Sequence, residues 1–105
     1  MLTKASATCD AVRMELLAGA RDEFHLRQLR RLLARAVTLA TRPGAYDDAA
    51  ALYRRCRQQG ATVRRLIDCL IASIAIRASA PVLHQDSDFD ILARHTELQI
   101  HKHNS

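Results

Sequence analysis

Residues 60–90 read GATVRRLIDCLIASIAIRASAPVLHQDSDFD, and this stretch sets the architecture. Gly60 stops whatever helix precedes it. From about residue 65 to residue 78 the run LIDCLIASIAI is apolar nearly all round. A surface helix keeps one polar face, so this one is expected to be buried on more than one side. Residues 80–84 then offer a short strand, with Pro81 near its start where a missing N–H costs least. Residues 90–94 suit a single helical turn and residues 97–101 a last strand. Buried helices alternating with short apolar strands point to an α/β fold with a small parallel sheet.

Working upstream, the punctuation is helical. Residues 9–18, CDAVRMELLA, read as a helix that stops at Gly19. A second helix is expected from about Asp22 to Ala36. Leu26, Leu29, Leu32, Leu33 and Ala36 lie to one side of it, and Arg27, Arg30, Arg31 and Arg35 to the other. Residues 37–40 fit either a short strand or the end of that helix. Arg42-Pro43-Gly44 then breaks the chain. A third helix is expected over residues 45–59, with Asp47 and Asp48 in its first turn, where the helix dipole favours acids. Its inward stripe is Tyr46, Ala49, Leu52, Tyr53 and Cys56. Residues 101–105, HKHNS, form a terminal tail that should fray.

Composition narrows the class. The chain has 105 residues, the size of one domain, and 49% of them are apolar, which excludes intrinsic disorder. Aromatics are only 4% and Trp is absent, so the core must be built from Leu, Ile, Val and Ala. No apolar stretch is long enough for a bilayer span, and residues 1–17 lack the apolar centre of a signal peptide. Three cysteines without a CxxC pair read as reduced thiols, and with the missing leader they place the chain in the cytoplasm. The net charge is +5, and of sixteen basic residues only Lys4 and Lys102 are lysine. Guanidinium binds phosphate through two parallel hydrogen bonds, so nucleic acid is a natural partner. On composition alone, coding bias and solvated helix faces are the stronger account of such arginines.

Three acids stand out against apolar surroundings. Asp68 interrupts the LIDCLIASIAI helix, and a buried carboxylate is costly unless it is paired or holds a cation. Pairing with Arg64 or Arg65 at the helix rim is the plainer account. Asp86 and Asp88 follow a strand, where α/β folds gather their sites; turn and cap roles are the plainer account there. Glu15 lies within VRMELLAGA. Hard divalent cations take carboxylate oxygens, and a pair of them assists phosphodiester cleavage. Spacing alone does not bring the three acids together.

Three segments carry a family resemblance. They are R-x-E-x-x-x-G-A at residues 13–20, G-x-T-V-R-x-x-I-D-C-L-I-A at 60–72 and V-L-H-x-D-x-D-F-D-x-L-A at 82–93. The chain resembles the PIN-domain ribonucleases, specifically toxins of the VapC type, from about residue 8 to residue 100. The resemblance implies a helix-rich three-layer α/β/α fold around a small parallel sheet. It implies cleavage of RNA with Mg²⁺ or Mn²⁺, restrained by a cognate antitoxin; a homodimer is expected separately, because a missing first strand leaves apolar surface for a partner to cover. It assigns catalysis and metal binding to Glu15, Asp68, Asp86 and Asp88, and the site's RNA-binding edge to Arg13, Thr62 and Arg64. His84, Tyr46 and Tyr53 read better as structural residues, as do Leu66, Ile67, Ile71 and Ile74.

The departure from the pattern is at the front. Family members begin with a hydrophobic strand ending in Asp and then Thr or Ser, which supplies the first acid. Here Leu2-Thr3-Lys4 offers no such strand, and Asp10 is a poor substitute because no strand is expected to lead into it. A first strand and first acid are therefore expected to be missing, through truncation or as a remnant. The alternative function is then a non-catalytic PIN-like fragment that binds antitoxin or RNA. A helical DNA-binding domain led by residues 27–35 leaves the acids unexplained.

Overall fold

The computed structural model describes the backbone of residues 7–80, 82–84 and 87–102, and the side chains of 8–80 and 89–99. The elements in order are β1 (Ala7–Cys9), α1 (Asp10–Ala18), α2 (Glu23–Ala34), β2 (Val37–Leu39), α3 (Gly44–Gln58), α4 (Leu66–Arg77), β3 (Val82–His84), α5 (Ser87–His95) and β4 (Ile100–Lys102). The expected helix-rich α/β architecture is present. Its strands form two parallel pairs. β1 lies beside β2 with Ala7 opposite Val37, and β3 beside β4 with Val82 opposite Ile100. Each parallel pair needs a crossover, supplied by α1 and α2 in the first case and by α5 in the second.

The helices begin and end where local chemistry directs. Asp22 Oδ1 accepts a hydrogen bond from His25 N at 2.7 Å, which caps α2. Gly60, at φ +81°, takes the left-handed conformation after α3, and Ala61 N donates back to Cys56 O at 2.9 Å. The same device closes α4 with a residue less suited to it. Ser79 has φ +51°, and Ala80 N donates to Ala75 O at 2.8 Å. Glycine adopts that backbone freely, whereas a Cβ crowds it.

The core is built around the packing of α3 on α4. Small residues face each other there: Ala45, Ala49 and Cys56 from α3, Cys69, Ala72 and Ala75 from α4, all buried. Ser73 Oγ, also buried, donates to Ala45 O at 3.3 Å. Cys9, Ala11 and Val12 from β1 and α1, Ile71 and Ile74 of α4, Val63, Phe89 and Leu92 of α5, and Leu98 complete the cluster. As the sequence implied, α4 is buried on several sides, from Asp68 through Ala75.

Several expectations need correction. Tyr46 is 60% exposed, because Ala45 takes the inward position one residue earlier. Leu32 is 56% exposed, since α2 turns Leu33 inward, and Leu66 at the start of α4 is 60% exposed. β1 was not expected, and it runs directly into Asp10 at the first turn of α1, so the argument against Asp10 loses its premise. α5 extends over Ser87–His95 rather than one turn. His101 and Lys102, assigned to the tail, pair with Leu83 and His84 in β4. No described helix is long and apolar enough to cross a membrane.

Candidate active site

Two of the sequence-identified acids, Glu15 and Asp68, each contact Arg65 at the N-terminal end of α4. Glu15 projects from α1, which packs against α4. Its carboxylate is ion-paired with the guanidinium of Arg65, the residue that opens α4. The Arg65 carbonyl in turn accepts a hydrogen bond from Asp68 N at 3.0 Å, which sets Asp68 in the first turn. Arg65 thus joins the element carrying Glu15 to the turn carrying Asp68. The Glu15 side chain is 29% exposed and that of Arg65 is 47% exposed. Asp68 is 1% exposed, among the largest fully buried side chains of the described residues.

The electrostatics favour anions at this end. The first turn of α4 presents backbone N–H groups and the positive pole of the helix dipole. Arg64 and Arg65 add charge beside it, and Arg64 is exposed, as is Thr62 in the preceding loop. Arg13 is half-buried on α1, two residues before Glu15. That spacing sets the two side chains on opposite sides of the helix, so Arg13 does not share the Glu15 face.

The remaining assigned residues lie differently. Asp86 is outside the described residues. Asp88 belongs to α5, which packs against α4 as well as α3. Among the described residues no group of three His, Cys, Asp or Glu side chains is placed to share one metal ion. A cleft of about 400 Å³ lies elsewhere, toward the C-terminal half of α4, lined by Asp48, Leu52, Arg55, Ser73, Arg77 and Glu97. It shares no residue with the acid pair. The cysteines are buried. Burial pushes the Cys9 and Cys56 thiols up, which makes them poor nucleophiles.

Sequence reasoning missed Arg65 as the partner of Glu15. The two are separated by 50 positions, and no local pattern couples them.

The comparison with known families decides the lineage. Residues 3–95 match the PIN domain. The chain belongs to the PIN domain family. Over 94 residues it is 43% identical to a VapC ribonuclease of Mycobacterium bovis. Ribonuclease VapC11 of Mycobacterium tuberculosis matches at the same 43% identity. The aligned stretch covers 89% of this chain and 70% of each relative, so the PIN domain described here is of the VapC type. Both Glu15 and Asp68 fall inside the matched residues, on the two helices that Arg65 connects.

Proposed function

We propose that this PIN domain is an endoribonuclease, the toxin of a type II toxin–antitoxin pair, using Mg²⁺ or Mn²⁺ at a site formed by Glu15, Asp68, Asp86 and Asp88. The observation that carries the reading is the buried carboxylate of Asp68 one turn into α4, with Glu15 tethered to the residue that opens the same helix. The similarity to VapC ribonucleases supports the reaction class.

The residues fit a hard cation in kind. Their donors are carboxylate oxygens, the ligands such ions take, and Asp68 is held in a buried position in the first turn of α4. When bound, the cation supplies charge stabilisation to the attacking and leaving oxygens of the phosphodiester. The chain's own groups do the rest. Packing of α4 fixes Asp68 and excludes water around it. Arg65 holds Glu15 in place and neutralises it. Arg64 and Thr62 border the entrance and are exposed, suited to a phosphate oxygen. Arg13 serves the RNA from the far side of α1.

A cognate antitoxin is the protein partner, with the toxin acting as a homodimer in the cytoplasm. Met14 and Leu66, 58% and 60% exposed, adjoin Glu15 and Arg65 in sequence and offer apolar surface for a partner to cover. The test is cleavage of an end-labelled RNA with MgCl₂ or MnCl₂. Cleavage that stops with EDTA supports the reading. An intact RNA under all metal conditions rejects it in favour of a non-catalytic binding domain.

A further inference from the structure

The outer face of α2 is built for a polyanion, and the function proposed above does not use it. Leu26, Leu29 and Leu33 turn toward the body of the protein, half-buried or buried. At 100° per residue, Phe24, Arg27, Arg31 and Arg35 share an arc of about 80° centred on the opposite side. All four are exposed, Phe24 to 62%. The three arginines follow one another at intervals of four residues, so the row from Arg27 to Arg35 extends about 12 Å along the helix.

Two features of this row bear on what it can bind. Arg55 and Arg65 are engaged with Glu97 and Glu15, whereas Arg27, Arg31 and Arg35 have no carboxylate partner among the described residues. Like charges four residues apart repel, and on this helix only Glu23, four residues before Arg27, is spaced to offset the row, at one end of it. Its only acids, Asp22 and Glu23, sit at the N-terminal end, and Asp22 is occupied as the cap. The second feature is Phe24. An exposed aromatic ring in line with guanidinium groups adds a stacking platform to a phosphate track, the combination that single-stranded nucleic acid takes. An acidic peptide has use for the arginines but none for the ring.

We infer that α2 is a second RNA-contacting surface, on which Arg27, Arg31 and Arg35 bind successive backbone phosphates of a single-stranded segment while Phe24 stacks on a base. α2 packs on α1, the helix that bears Glu15, so RNA held on α2 is delivered beside the candidate active site. The inference rests on the ribonuclease reading for its choice of RNA, but binding and cleavage separate experimentally.

The experiment is fluorescence anisotropy of a labelled unstructured RNA oligonucleotide with the full chain in EDTA, at a series of salt concentrations. Substituting Arg27→Gln, Arg31→Gln and Arg35→Gln together is expected to weaken binding at least tenfold at low salt. It should also flatten the slope of log affinity against log salt by about two, since each phosphate contact to a single strand contributes roughly 0.7. Phe24→Leu keeps an apolar side chain without the π face and is expected to lose roughly tenfold at unchanged slope. The triple change to lysine retains the slope but loses affinity, because the paired hydrogen bonds are gone. Arg54→Gln with Arg94→Gln, exposed arginines on α3 and α5, serves as the charge control and leaves binding within twofold. Parental affinity and slope in the triple glutamine variant overturn the inference. So does polyglutamate binding the same face as tightly as RNA, which assigns α2 to an acidic protein. RNA binding that is lost in the triple variant, from a parent that never cleaves with Mg²⁺, upholds the α2 surface and removes the ribonuclease reading alone.

Discussion

Arg65, at the first position before α4, holds the carboxylate of Glu15 on α1. The pair is partly solvated, so its contribution to stability is small, below about 1 kcal/mol. For the proposed metal site it matters more, because the guanidinium occupies a carboxylate assigned there to the cation. Arg65→Gln is therefore expected to tighten Mn²⁺ binding measured by calorimetry while lowering the melting temperature by only a few degrees. Glu15→Gln should weaken Mn²⁺ binding. Unchanged or tighter binding in Glu15→Gln removes Glu15 from the metal site.

Asp68 separates a chemical role from a packing role. Asp68→Asn keeps the shape in a fully buried position and removes the charge. Mg²⁺-dependent RNA cleavage is expected to fall by roughly two orders of magnitude or more, with an unchanged circular dichroism spectrum. Cleavage at the parental rate assigns Asp68 to the fold.

Ser79 offers a stabilising substitution away from the chemistry. Its φ of +51° closes α4 in a conformation that glycine adopts without strain. Ser79→Gly is expected to raise the free energy of unfolding by about 1 kcal/mol, read from the urea midpoint. A lower midpoint means that side-chain contacts outweigh the backbone strain.

The buried thiols give the pH dependence. Burial raises the Cys9 thiol, although the Val12 and Ala11 backbone N–H groups draw it partly back, and burial raises Cys56 as well. A raised thiol pKa favours the neutral form in the folded chain. The associated stability is complete below the unfolded thiol pKa, about 8.5, and is lost as pH climbs through the folded value. The urea midpoint should therefore be flat from pH 7 to about 8.5 and decline above it, more steeply than in Cys9→Ala with Cys56→Ala. Equal slopes in the two proteins assign the alkaline loss to other groups.

The helices were legible because their ends carry chemistry: Asp22 as a cap, Pro43 and Gly44 as a break, Gly60 at positive φ. Their facing was legible in α4, where every side is apolar, and less so in α2 and α3. There Leu32 and Tyr46 lie at the edge of the inward stripe, and one residue of rotation decides exposure. β1 escaped because three residues are too few for an alternating pattern, and its partner lies beyond two helices. Glu15 and Asp68 stood out as acids in apolar sequence. Their shared neighbour did not, since only the packing of α1 on α4 brings Arg65 to Glu15.

The two separate strand pairs set the order in which the molecule opens. α3 and α4 are neighbours in sequence and share the tightest apolar contact, so their amides exchange only when that contact is lost. β1 and β2 meet across two intervening helices, and β3 and β4 across one, each through a ladder three residues long. Closing such distant, short ladders repays the loop entropy late and weakly. Deuterium should therefore enter the strand amides first and α4 last. Partial unfolding would then free the ends of α1 and α2 while the turn bearing Asp68 stays folded, leaving the chain a hinge between its buried acid and its arginine face.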